Sequence, residues 1–200
     1  MKTRVVIDVP GGSSKILLHA CCAPCSGAIV EFLVKNGYRP VIFYSNSNIV
    51  PFGEYSHRLN EVLRYADEFD LEVVEDDYDH NAWRRCTAGL EAEPERGSRC
   101  LECFKHRLLR AAQYAAEHGF EVLTTTLASS RWKSLDQVNE AGAWACRQVE
   151  GVTWWPQNWR KGGLQDRRNE IIREQGFYNQ LYCGCEFSQR TGSDEPSEAL

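Results

Sequence analysis

The sequence contains no run of eighteen apolar residues, which excludes a membrane-spanning helix. Its opening, MKTRVVIDVPGGSSK, has only a short apolar patch and no small-residue cleavage pattern, so it does not read as a secretory signal. A cytoplasmic location is therefore expected. Internal repeats and low-complexity segments are missing too, which excludes solenoids and arrays. Basic charge is not in excess. The net charge of −5 excludes indiscriminate attraction of the whole surface to nucleic acid, though a local basic patch remains compatible with it.

What the chain does have is cysteine, nine in 200 residues. The length suits one domain with a sizeable core. In a secreted protein nine thiols would suggest disulfides, but an odd number fits poorly. In a reducing compartment, clustered thiols point to metal binding or redox chemistry.

Hydrophobic patterning alternates strands with helices. Short apolar runs predict strands at Lys15–Ala20, Pro40–Ser45, Leu71–Val74, Glu121–Thr126 and Val152–Trp155. Helical spacing and terminal glycines predict helices at Ala28–Gly37, Phe52–Phe69, Asp79–Leu90, Arg99–His118, Leu135–Val149 and Leu164–Gln175. This order predicts an α/β fold: a single domain with a mainly parallel sheet flanked by helices, in a Rossmann-like three-layer arrangement. In such folds ligands bind beyond the carboxyl ends of the strands. The strand KILLHA delivers His19, Cys21 and Cys22 to that edge, and the TTT closing the fourth strand is expected on the same rim. The expected organisation is an N-terminal segment 1–14, partly disordered, a catalytic domain 15–190 and a disordered tail 191–200.

Three cysteine groups stand out: Cys21-Cys22 with Cys25, Cys100-x-x-Cys103, and Cys183-Gly-Cys185. The first two supply at least four thiolates, a set that suits zinc or an iron–sulfur cluster. Cys22-x-x-Cys25 with Cys100–Cys103 would make a pair of zinc knuckles and leave Cys21 unused. Cys21, Cys22, Cys100 and Cys103 would instead span a [4Fe–4S] cube, because adjacent cysteines diverge and can reach two irons. Spacing alone leaves both open. The Cys183-x-Cys185 thiols are close enough for a strained, easily reduced disulfide, or for a second metal. Cys86 and Cys146 stand alone and read as small core residues. His19 reads first as a structural hydrogen-bonder, with proton donation as the alternative.

Five ordered motifs resemble the QueH family of epoxyqueuosine reductases. They are LLHACCAPCS, SNSNIVPFGEYSHRLNEV, DYDHNAWRRCTAGLEAEPERGSRCLECFKHRL, TTTLASSRWKS and GFYNQLYCGCEFS, which together span roughly residues 15–190. The resemblance implies reduction of epoxyqueuosine to queuosine in the anticodon loop of tRNA without cobalamin, the last step of that modification. It implies a [4Fe–4S] cluster on Cys21, Cys22, Cys100 and Cys103, and a redox-active pair at Cys183 and Cys185. An additional iron held by Cys25, Cys183 and Cys185 is the alternative use of the last pair. The partners implied are tRNA carrying epoxyqueuosine at the wobble position and an unidentified electron donor, with no membrane and a monomeric chain. The stretch NWRKGGLQDRRNE departs from the family, which often has a Phe-Arg-Lys run and a serine near Arg168. Substrate contacts there are therefore not carried over.

The aromatics Trp132, Trp154, Trp155, Trp159, Tyr178 and Tyr182 interleave with Arg131, Lys133, Arg147, Arg160, Lys161, Arg167 and Arg168. About a third of these are expected to touch RNA and the rest to be core or solvated helix faces. Two other classes match parts of this pattern. A zinc-stabilised nucleic-acid-binding module without redox activity would be colourless. A nucleotide-alpha-hydrolase-type tRNA sulfurtransferase would need an S-G-G-x-D-S phosphate loop after the first strand. Here Cys-Cys-Ala-Pro-Cys-Ser stands in that place, and Gly11–Ser14 precede the strand.

Overall fold

The computed structural model describes residues 7–189, so the expected disorder of the 191–200 tail falls outside the described residues. Within the N-terminal segment, Pro10–Gly12 form a short 3₁₀ turn, and Val9 is buried in the core.

Five strands pair in the order β3-β2-β1-β4-β5. They are β1 Ile16–His19, β2 Val41–Tyr44, β3 Val73–Glu75, β4 Val122–Thr125 and β5 Thr153–Trp154. Every pairing is parallel. Parallel strands need helical crossovers, which cover both faces of the sheet and demand apolar side chains on both sides of each central strand. Accordingly all four residues of β1 and all four of β4 are buried. Leu17 and Leu18, fully removed from water, each contribute about 1.5–3 kcal/mol of apolar burial.

The helices are α1 Ala23–Lys35, α2 Phe52–Asp67, α3 His80–Cys86, α4 Ser98–Glu117, α5 Leu135–Cys146 and α6 Leu164–Gln175. Helix α1 packs against α2 and α6, while α4 packs against α5 and reaches β1 and β4. Helix α3 is shorter than its predicted Asp79–Leu90. Asp79 caps its start by accepting the Ala82 N–H at 2.8 Å. At its end the Thr87 hydroxyl bonds back to the Trp83 carbonyl at 3.2 Å, and Gly89 turns the chain left-handed. At one point the layers meet so closely that only glycine fits. A Cβ on Gly142 of α5 would lie 2.3 Å from the Trp154 ring of β5.

The strand order reverses between β1 and β4. A crevice opens where such neighbouring strands send their connections to opposite sides. The first cysteine group follows β1 directly, and Thr126 follows β4.

Candidate metal centre and substrate cavity

At that switch point the chain leaves β1 through Ala20 and enters α1. Cys22 is the N-cap of α1, Pro24 occupies its first turn, and Cys25 is its third residue. Positions 22 and 25 share a helix face, and Cys21 sits beside them. The three sulfurs lie within 4.8 Å of one another, all buried, with Cys21 and Cys22 Sγ 3.7 Å apart. Thr126 fixes Cys21 twice: its Oγ1 accepts the Cys21 N–H at 3.0 Å and its O–H donates to the Cys21 sulfur at 3.3 Å. The TTT of β4 therefore lies on the same rim, as the strand pattern predicts.

The trio does not share its charge evenly. S–H donation from Cys21 and Cys22 holds the Cys25 thiol well below the usual range, and Lys133 and Arg168 add to this. Contact with Cys21 and Cys25, together with burial, pushes Cys22 well above it. Cys25 also lies in the first turn of a helix, where the dipole favours a thiolate. By contrast, burial raises Cys146 and Cys86 each to about 12.

A cavity of about 180 Å³ opens in front of the trio. Cys21, Cys22, Cys25, Cys100 and Cys183 all line it, so sulfurs from three distant parts of the chain face one space. Cys103 and Cys185 do not line it. They pack with the fully buried Trp83 in a small cluster, flanked by Cys86 and Phe187. Burial raises the thiol of Cys100, and of Cys103, and takes Cys185 to about 11. Soft sulfur donors converging on one enclosed space suit a thiophilic metal or an iron–sulfur cluster.

The wall bearing Cys183 is held by a buried arginine. Arg58, on the inner face of α2 and 2 % exposed, donates to the carbonyls of Cys183 at 3.0 Å and Tyr182 at 3.2 Å. Its Nε donates to Glu54 at 2.7 Å, and its guanidinium lies over the Tyr182 ring. Gly184 has φ +136°, and a Cβ there would meet Ile49 at 2.9 Å and Asn48 at 3.1 Å. Glycine between the two cysteines thus lets the loop press against the residues after β2. Arg107 performs a similar task on α4, donating to Ser45 O at 3.3 Å and to Asn46 Oδ1. Arg96, left-handed at φ +67°, gives its backbone N–H to the Cys100 sulfur at 3.3 Å.

Pattern reading missed Arg58, Arg96 and Arg107. The signal for two of them is a charge on an apolar face: Arg58 shares a stripe with Tyr55, Val62 and Tyr65, and Arg107 one with Phe104 and Ala111. Lys133 also lines the cavity. Burial works against its charge, but the facing sulfurs of Cys183, Cys21, Cys25 and Cys22 outweigh it and raise its pKa.

The remaining candidates divide between core, surface and cavity. His19 is fully buried, with Nδ1 at 2.7 Å from Thr125 Oγ1 and Nε2 at 3.1 Å from Ser45 O. Burial and the nearby Arg107 lower it to about 3, so it is a neutral structural hydrogen-bonder and not a proton donor. Trp155 and Trp159 are core residues, stacked edge to face, and Trp154 covers Gly142. Arg167 is occupied by Glu31, Glu170 and Glu174. Of the interleaved set, Trp132, Tyr182, Lys133 and Arg168 line the cavity.

A family model described as "Epoxyqueuosine reductase QueH" matches residues 16–191. Curated relatives of that same description cover nearly the whole chain. The one from Histophilus somni is 44 % identical over 187 residues, spanning 94 % of this chain and 77 % of the relative. That of Haemophilus influenzae is 43 % identical over 187 residues, with 94 % and 76 % covered. That of Acinetobacter baylyi is 42 % identical over 189 residues, with 94 % and 87 % covered.

Proposed function

Since the chain belongs to the epoxyqueuosine reductase QueH family, we propose that it is an oxidoreductase that converts epoxyqueuosine to queuosine in the anticodon loop of tRNA. The reaction removes the epoxide oxygen and leaves an alkene. It consumes two electrons and two protons and releases water. The electrons come from an external donor.

The observation that best supports this reading is the meeting of Cys21, Cys22, Cys25, Cys100 and Cys183 on one cavity at the switch point of the sheet. Cys21, Cys22 and Cys100, which line the cavity, would hold a [4Fe–4S] cluster, with Cys103, packed beside Trp83 outside that lining, as the expected fourth ligand. Bound there, the cluster would supply electrons one at a time. Cys183 and Cys185 would act as a dithiol/disulfide pair beside it. Arg58 keeps their loop against the cavity wall, and the Lys133 ammonium places positive charge where an alkoxide would develop. The closeness of Cys25 to Cys21 and Cys22 supports one thiophilic ion on that trio, and Cys25, Cys183 and Cys185 are the candidate ligands of a second ion.

The test is anaerobic purification with iron and sulfide analysis, then incubation of epoxyqueuosine-containing tRNA with dithionite and analysis of its nucleosides. Conversion to queuosine is expected. A brown, iron-loaded protein that converts none overturns the reading. Clearly more than four irons per chain would support the second ion.

A further inference from the structure

Among the described residues, four large apolar side chains are strongly exposed: Phe52 at 58 %, Leu63 at 42 %, Trp132 at 64 % and Leu181 at 80 %. Phe52 and Leu63 belong to α2, and Phe52 stacks on Tyr55. Trp132 and Leu181 come from segments far apart in sequence, yet both line the cysteine cavity. Apolar surface kept in water at the edge of a cavity marks a binding contact.

Trp132 is displayed on a fixed backbone. Its N–H donates to Ser130 Oγ at 3.3 Å. Its carbonyl accepts Arg96 Nε at 3.0 Å, and the Arg131 carbonyl accepts Arg96 Nη2 at 3.0 Å. The Arg131 guanidinium lies 4.8 Å from the Trp132 ring centroid. The left-handed Arg96 thus ties Cys100 to the segment that presents the ring.

The chemistry around this ring narrows the occupant. The cavity is lined by Arg58, Arg96, Arg107, Lys133 and Arg168, against the single acid Glu95. Among the described residues, four buried polar atoms of its lining residues have no protein partner: Asn48 Oδ1, Gln137 Oε1, Arg168 Nε and Gln180 Nε2. An anionic ligand with a flat π-face and hydrogen-bonding edges matches all three features. A single-stranded nucleic-acid loop has them, because splayed bases stack on aromatic side chains while phosphates meet arginine and lysine.

We propose that Trp132 is the stacking platform for an anticodon-loop base adjacent to the reacting nucleotide, with Leu181 adding an apolar contact. The cavity then admits the modified nucleotide, while the ring at its edge grips its neighbour. This rests on the tRNA reading above and names a contact within it.

The test uses anticodon stem–loop RNAs with guanosine at the wobble position and 2-aminopurine immediately 5′ or 3′ of it. Binding is followed by 2-aminopurine quenching and by anisotropy of an end label, at two salt concentrations. With the full chain, one of the two probes is quenched. In Trp132→Ala that quenching is lost and affinity falls by about tenfold at both salt concentrations, because stacking is insensitive to salt. Trp132→Phe restores most of both, and Leu181→Ser weakens binding less than Trp132→Ala does. Arg168→Gln keeps the quenching but reduces the salt slope by about one. Trp132 is exposed, so its variants keep the fold, which a thermal melt verifies. Unchanged affinity and quenching in Trp132→Ala overturn the platform, as does quenching at neither position. If the wild type still converts epoxyqueuosine tRNA in the nucleoside assay, that failure leaves the reductase reading standing. A wild type that neither binds the stem–loops nor converts the tRNA overturns both.

Discussion

The body of the sheet and its carboxyl rim are adjacent in space and opposite in chemistry. In the body, Ile16, Leu17, Leu18, Ile42, Val122 and Leu123 are buried side by side with no polar side chain among them. One to four residues further along the chain from these three strands the same depth of burial is given to His19, Ser45, Asn46, Thr125 and Thr126. Every one of these five makes a side-chain or backbone hydrogen bond to another part of the rim. Buried polar groups that are fully paired specify one arrangement, whereas apolar packing tolerates several. The body therefore carries stability, and the rim carries position.

Three substitutions and one alkylation experiment sharpen or break this division. The largest effect belongs to the rim: Cys183→Ser should abolish turnover of epoxyqueuosine tRNA while the iron–sulfur absorbance stays intact. Loss of absorbance would instead make Cys183 a ligand of the cluster. Leu18→Ala in the body should cost about 2–5 kcal/mol in urea denaturation, with activity per folded molecule retained. Were Cys183→Ser to unfold the chain, or Leu18→Ala to leave its stability unchanged, the division would be wrong.

The third concerns acid. His19 has its pKa lowered from 6.5 to about 3 in the folded state. The unfolded state therefore takes up its proton first as the pH falls. The stability it contributes is complete above pH 6.5 and is lost progressively down to about pH 3. Unfolding curves across that window should show a shallower pH dependence for His19→Gln than for the wild type. The smallest effect is one of rate. Cys25 and Cys146 are equally hidden, 7 % and 8 % exposed. Their ionisation differs, so metal-free protein treated with iodoacetamide near neutral pH should lose Cys25 before Cys146, as followed by peptide mass mapping. The reverse order would mean that access, not charge, separates the two environments.

The body of the sheet was far more legible than the rim. Runs such as KILLHA and PVIFYS read as strands because a strand covered on both faces must be apolar throughout. The Leu164–Gln175 helix was bounded correctly because Gly176 marks its end. Motif spacing also found the cysteines, but it could not show that Cys25 joins Cys21 and Cys22. That follows from α1 beginning between them, which puts positions 22 and 25 on one face. Nor could it show that Cys103 packs with Trp83 behind the cavity wall. The buried arginines were invisible for a simpler reason. A charge is assigned to solvent by default, and Arg58 is buried only because Tyr182 and Cys183, 124 and 125 positions away, offer it carbonyls.

That dependence on distant carbonyls has a temporal side. Among the described residues, all five strands and all six α-helices lie before residue 176, whereas Asn179 to Ser188 supply the last wall of the cavity. During synthesis the scaffold can be finished while the pocket still stands open on one side. The cavity is closed only when the Cys183 loop reaches Arg58.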